Sequence, residues 1–130
     1  RRYLGSARAA GAAAMRDLMQ EVGIARPSSV CEAADLLELA ILVFTPPEGY
    51  AGVIERPRGN LILMANVDCP MFRSLEERNW QGITACSSWH TRQGWYDALG
   101  VMVSDSVLRE KKWGDRACVA ELRVEALTSG

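Results

Sequence analysis

Apolar residues recur at helical spacing near the start of the chain and predict a helix over residues 3–22. Gly23 follows this segment, and glycine commonly ends helices. Between residues 7 and 14 the helix is crowded with alanine and glycine, so this part can pack closely against a neighbour. Its partial apolar stripe consists of Leu4, Met15, Leu18, Met19 and Val22.

A second helix is predicted from Ser29 to about Phe44, before the Pro46-Pro47 pair. Ser29 and Glu32 have the spacing of a capping box, in which each side chain binds a free backbone N–H group at the helix start. Cys31 lies near this start, so we interpret it as a structural residue.

The remainder of the chain alternates between strand-like and helix-like segments. Within the last strand-like segment, apolar residues from Cys118 to Ala126 alternate with mostly polar residues, which is the period of a strand with one polar face. A short helix over 74–80, with Glu76 and Glu77 in its first turn, and a long helix over 83–99 separate two pairs of strands. The predicted strands are 50–56, 61–67, 101–109 and 117–127.

This order of elements predicts an α+β fold with a four-stranded, mainly antiparallel sheet and helices packed on one face. The length of 130 residues suits a single domain spanning 1–130. The chain does not begin with Met, which indicates a trimmed start.

Composition and charge exclude several classes of protein. Apolar residues make up 48%, charged residues 24%, and the formal net charge is −1, whereas nucleic-acid-binding domains usually carry a basic patch. No apolar run reaches the roughly 18 residues of a membrane-spanning helix, and no secretory signal is recognisable. We therefore expect a cytoplasmic protein with reduced cysteines, acting on neither nucleic acid nor membranes.

The cysteines and the one histidine mark the candidate chemistry. Cys86 and His90 are four residues apart in a predicted helix, so they project from one face. Cys69 ends one strand-like run and Cys118 opens another. If strands and helix pack together, three sulfurs and an imidazole converge as zinc or iron ligands, or as a cysteine nucleophile beside a base. The spacing matches no established zinc pattern, and a buried structural role for each cysteine stays open.

The face of the helix that carries Cys86 and His90 also carries Gln93 and Asp97. Such a polar stripe lines a pocket or faces water. In a pocket, Asp97 would orient an imidazole or hold a polar substrate group, and Gln93 would donate to a carboxylate. Trp89 would form part of the wall.

Three sequence blocks carry a resemblance to a known family. They are "NVDCP" at 66–70, "ITACSSW" at 83–89 and "WGDRACVAELRVEAL" at 113–127. Together they resemble the L-2-amino-thiazoline-4-carboxylic acid hydrolase-like proteins, which are small α+β domains with Cys-Pro after a strand, a cysteine on a helix and a late Gly-Asp-x-x-Cys. A related cysteine placement occurs in vinyl-reductase-type ligand-binding domains.

The resemblance implies hydrolysis of a cyclic amidine C–N bond in a small molecule. Cys69, Cys86 and Cys118 match the landmarks of the family, whereas Trp89, His90, Gln93 and Asp97 come from the predicted helix over 83–99. We expect Cys69, Cys86 and Asp97 to be catalytic, Trp89 and Gln93 to contact the substrate, and Cys69, Cys86, His90 and Cys118 to be the metal ligands. The alternative is a non-catalytic module that binds a small molecule or metal, or an accessory subunit of a larger complex. A homo-oligomer is compatible with either function.

Overall fold

A computed structural model describes residues 2–44, 51–68, 70–79, 88–109 and 118–127. Four helices and four strands occur in these segments. In chain order they are α1 (Arg2–Val22), α2 (Val30–Phe44), β1 (Ala51–Ile54), β2 (Leu61–Asp68), α3 (Pro70–Glu77), α4 (Ser88–Leu99), β3 (Val101–Arg109) and β4 (Cys118–Leu127).

The sheet is antiparallel throughout and has the strand order β1-β2-β4-β3. The prediction of a four-stranded, mainly antiparallel sheet is wrong, because the full-length strands β2, β4 and β3 form a three-stranded antiparallel sheet. The segment predicted as a strand over 50–56 contributes four residues at the edge, and its register with β2 shifts after the first of them. An edge segment this short, paired on one side only, adds little to the sheet.

The helices cover one face of the sheet, and the core lies between the two layers. Ile62 and Met64 of β2 alternate with less buried neighbours, as do Ala120 and Leu122 of β4, so these four side chains share the covered face. From the helices, the same core receives Met15, Leu18, Met19, Leu36, Leu37, Ala40, Ile41, Trp95, Tyr96 and Leu99.

Local signals set the ends of α1 and α2 as predicted. The Glu32 backbone N–H donates to the Ser29 hydroxyl oxygen at 3.1 Å, and the Ser28 N–H donates to the Glu32 carboxylate at 3.0 Å, which forms the capping box. At the end of α1, the N–H groups of Gly23 and Ile24 donate back to carbonyl oxygens of the last turn, a pairing that terminates helices.

The short helix α3 begins earlier than the predicted helix over 74–80. It starts at Pro70, because proline has no N–H to leave unpaired in a first turn and its φ already suits a helix. Glu76 and Glu77 therefore lie in its last turn, whereas the prediction placed them in the first turn. Asn79 then adopts a positive φ of 55°, and its N–H donates to the Glu76 carbonyl oxygen.

Candidate functional site

The predicted site residues that the structure describes lie on α4 and at one end of the sheet. Asn66 of β2 pairs with Cys118 of β4, two positions beyond the pair Met64 and Ala120. By strand alternation both side chains belong to the helix-covered face. Helix α4 turns through Gly100 directly into β3, and its first turn lies over the middle of β3, because Trp89 donates to the backbone oxygen of Asp105, which pairs with Leu122.

Cys69 and Cys86 lie outside the described residues. In sequence, Cys69 directly follows β2, and Cys86 precedes the first residue of α4 by two positions. The end of β2 and the start of β4 lie at the same end of the sheet, whereas the first turn of α4 lies over the middle of β3. That Cys69, Cys86 and Cys118 converge stays a prediction.

His90 is half-buried and makes an edge contact with Trp89, with 5.0 Å between ring centroids. Within the part of the chain that the structure describes, no three His, Cys, Asp or Glu side chains are arranged to hold a metal ion. His90 and Cys118 would need donors from beyond these segments to complete the predicted zinc or iron site.

The polar stripe predicted that Asp97 lines a pocket or faces water. Its side chain is about half exposed and is paired with Arg8. Both of its carboxylate oxygens accept hydrogen bonds from the Arg8 guanidinium, at 2.7 and 2.9 Å. The hydrogen bond from Arg8 holds the pKa of Asp97 below its usual value, although partial burial opposes this. Because Arg8 belongs to α1, this ion pair fastens α1 to α4, and a catalytic role for Asp97 would require it to open.

Two glycines explain how α1 covers this part of α4. A Cβ atom added at Gly94 would overlap the Arg8 carbonyl oxygen and lie 2.7 Å from the Ala12 nitrogen. A Cβ added at Gly11 would overlap the Thr91 carbonyl oxygen. The two backbones therefore touch directly. Helix α1 therefore covers the side of α4 that carries Gly94.

The most organised polar cluster was not predicted from the sequence. The Asp105 carboxylate on β3 is fully buried and accepts from Arg92 Nε at 2.8 Å, Arg92 Nη2 at 3.1 Å and the Tyr96 hydroxyl at 2.6 Å. Trp89 Nε1 donates to the Asp105 backbone oxygen at 3.1 Å. An acidic residue in the middle of an apolar, alternating strand was the available signal, because a buried carboxylate needs a partner.

The charge states in this cluster follow from its burial and its pairing. Burial raises the pKa of Tyr96 well above its usual value, so its hydroxyl remains a proton donor. Burial alone would lower the pKa of Arg92, but the hydrogen bond and charge of Asp105 reverse this and raise it overall. The cluster therefore consists of a guanidinium, a carboxylate and a neutral phenol.

Two side-chain amides, one on α4 and one on β2, contain buried polar atoms with no hydrogen-bond partner in the described structure: Gln93 Nε2 and Asn66 Oδ1. The Trp95 indole nitrogen, beneath Phe44, is a third such atom. Buried polar groups are almost always paired in folded proteins, so each marks a place for water or a ligand group. Gln93 was the residue predicted to donate to a substrate.

An open groove of about 320 Å³ lies elsewhere, between the start of α2 and the residues after β1. Cys31, Asp35, Glu38, Glu55 and Arg56 are among its lining residues. Cys31, interpreted from the sequence as a structural residue, is exposed at the first turn of α2.

Comparisons of the chain with protein-family models, with curated proteins and with solved structures found no match. Among the described helices, none is both long enough and apolar enough to cross a membrane. The function is therefore argued from the residues of this chain.

Proposed function

We propose that this chain binds a small polar molecule on the helix-covered side of the sheet, along α4. The observation that carries the proposal is the buried Gln93 Nε2, a hydrogen-bond donor without a partner in the described segments. A donor buried without an acceptor costs about 1–3 kcal/mol. A ligand oxygen at this position would remove that cost.

The neighbouring residues suit such a ligand. Trp89 lies one helical turn before Gln93 and offers an aromatic surface, and the half-buried His90 packs against it. Near the end of β2, Asn66 Oδ1 is a second buried atom without a partner in the described segments, and it would accept a hydrogen bond from an N–H group. Apolar walls with a few fixed polar groups are typical of small-molecule sites.

A thermal-shift screen of small amides, amidines and carboxylates, compared between matched variants, tests this proposal. Gln93→Met replaces the amide with an apolar side chain of similar size, and Gln20→Met makes the same change at an exposed position of α1. Hits should raise the melting temperature of the parent chain and of Gln20→Met by mass action, but not that of Gln93→Met. Equal shifts in all three proteins would place the ligand elsewhere.

A second candidate function is hydrolysis of a cyclic amidine C–N bond in the bound molecule. The resemblance suggests it, and the position of Cys118 supports it, at the end of the sheet where Cys69 directly follows β2. A cysteine thiolate, or water on a zinc or iron ion, would attack the amidine carbon while an acid protonates the leaving nitrogen.

Cysteine variants separate this candidate from simple binding. With thiazolines, hydantoins and carbamoyl amino acids as substrates, Cys69→Ser and Cys86→Ser should each abolish turnover, whereas Cys31→Ser in the distant groove should retain it. Metal analysis of unchelated protein distinguishes the two chemistries, because stoichiometric metal indicates a metal-bound water. If the parent chain shows no turnover above Cys86→Ser, the hydrolase candidate is rejected and binding remains.

A further inference from the structure

Among the described residues, Asp105 accepts hydrogen bonds from only part of the Arg92 guanidinium. A guanidinium has five N–H donors in a fixed plane, and Asp105 takes two of them. Asp105 is the only acidic residue that pairs with Arg92 in the described part of the chain. The Arg92 side chain keeps 13% of its surface exposed, so it is not sealed within the core.

The surroundings hold this guanidinium in one orientation. Asp105 accepts two hydrogen bonds from it, and the Tyr96 hydroxyl donates at 2.6 Å to Oδ2, the same carboxylate oxygen that accepts from Arg92 Nε. Trp89 donates a hydrogen bond to the Asp105 backbone oxygen, which adds a second contact between α4 and β3. An arginine fixed in advance loses little conformational freedom when it binds a planar acceptor.

From this geometry we infer that Arg92 is the specificity-determining residue of the site and binds a carboxylate group of the ligand, with Asp105 as its positioning residue. The inference rests on the proposed function, since it describes the same site along α4. A carboxylate matches the planar fork of a guanidinium in a way that a single neutral oxygen does not. Gln93 follows Arg92 in α4 and projects about 100° away around the helix axis, so its Nε2 would donate to a different part of the ligand.

The test uses three probes that differ in charge or in shape. Propionate and propionamide have nearly the same shape, and inorganic phosphate is a non-planar anion. In titrations of the full, isotopically labelled chain, propionate should shift the Arg92 Nε–H resonance and bind at least ten-fold more tightly than propionamide or phosphate. Equal affinities for propionate and propionamide would overturn the inference while leaving small-molecule binding intact. Tighter binding of phosphate would overturn the choice of a carboxylate.

Variants assign the effect to Arg92. Arg92→Lys should weaken propionate at least ten-fold, because lysine lacks the planar fork. The double variant Arg92→Met with Asp105→Leu keeps the buried volume without a stranded charge, and it should fold but lose the preference for propionate. Arg123→Gln, at an exposed position of β4, serves as the control. If Arg123→Gln weakens propionate as much as Arg92→Lys does, or the double variant retains the preference, the inference fails.

Discussion

At the scale of single residues, Gly94 determines whether α1 and α4 can approach. In most helices, replacing glycine with alanine stabilises by up to about 1 kcal/mol. Here the added Cβ would overlap backbone atoms of α1, which cannot move aside as a flexible side chain can. We expect Gly94→Ala to lower the free energy of unfolding by about 1–3 kcal/mol, the usual cost of overpacking, as measured by urea denaturation.

Gly5 provides the matched control, because it lies in α1 with nothing within 4 Å of its added Cβ. Gly5→Ala should leave stability unchanged or raise it. If Gly94→Ala also raises stability, the two helices do not pack backbone to backbone.

The Arg8–Asp97 ion pair gives a second prediction at this scale. Its carboxylate has a lowered pKa in the folded chain, so its stabilisation is complete above the usual pKa of aspartate, near 4, and is lost as the pH falls through the lower folded value. Both side chains are about half exposed, so the pair is worth at most about 1 kcal/mol. We expect Asp97→Asn to be less stable than the parent at pH 7 and equally stable near pH 2.

Urea denaturation of both proteins across this pH range measures the difference, with Glu125→Gln on β4 as a control for general charge effects. A parent advantage that grows as the pH falls would contradict the sign of the pKa shift.

Residue roles were predictable where they depend on near neighbours in sequence. Ser29 and Glu32 are three positions apart, so the capping box was visible in the sequence. Arg8 and Asp97 are 89 positions apart, and their pairing depends on how α1 lies across α4. For the same reason the contact of Gly94 with α1 could not be predicted from the sequence.

At the scale of elements, the buried Arg92–Asp105 pair locks α4 onto β3. Asp105 is fully buried, so Asp105→Leu alone would leave a guanidinium without its partner and should cost about 3–5 kcal/mol. Replacing both partners, with Arg92→Met and Asp105→Leu, removes the stranded charge and should recover most of that loss. Thermal and urea unfolding of the parent, of the two single variants Arg92→Met and Asp105→Leu, and of the double variant form a complete cycle.

Additive losses in this cycle, with the double variant no more stable than Asp105→Leu alone, would show that the pair is not coupled. Such a result would also remove the positioning role assigned to Asp105.

Element boundaries could be predicted when a local stop signal was present. Gly23 and Gly100 end α1 and α4 where the sequence placed them. The helix predicted over 74–80 begins later than α3 does. Helix α3 starts at Pro70, because proline suits the first position of a helix. The single charged residue inside β3 was the unused signal for the buried cluster.

At the scale of the whole molecule, the sequence order of strands predicted the antiparallel class but not the sheet as built. The strand predicted over 50–56 proved to be four residues long, since its contribution depends on pairing with β2 rather than on its own pattern. Trp89, His90 and Gln93 lie on α4, within the predicted helix over 83–99, and their role in a site stays a prediction. Arg92 and Asp105 were missed because their partnership spans two elements.

The last prediction concerns α1, which joins the rest of the molecule mainly through α4. Met15, Leu18 and Met19 of α1 are buried in the common core. Burying a side chain of this size contributes about 1.5–3 kcal/mol, so the three together contribute about 5–9 kcal/mol. Because a whole domain is stable by only about 5–15 kcal/mol, a chain without residues 1–23 should lose its cooperative unfolding transition.

Calorimetry of the shortened chain measures this loss, and a nicked chain controls for the change in connectivity. A protease site placed between Gly23 and Ser28 cuts the chain but leaves α1 in place, so the nicked protein should still unfold cooperatively. If the shortened chain unfolds as sharply as the nicked one and within a few degrees of it, α1 is an appendage rather than part of the core. The contact between Gly94 and α1 would then have no bearing on the stability of α4 or of the site it carries.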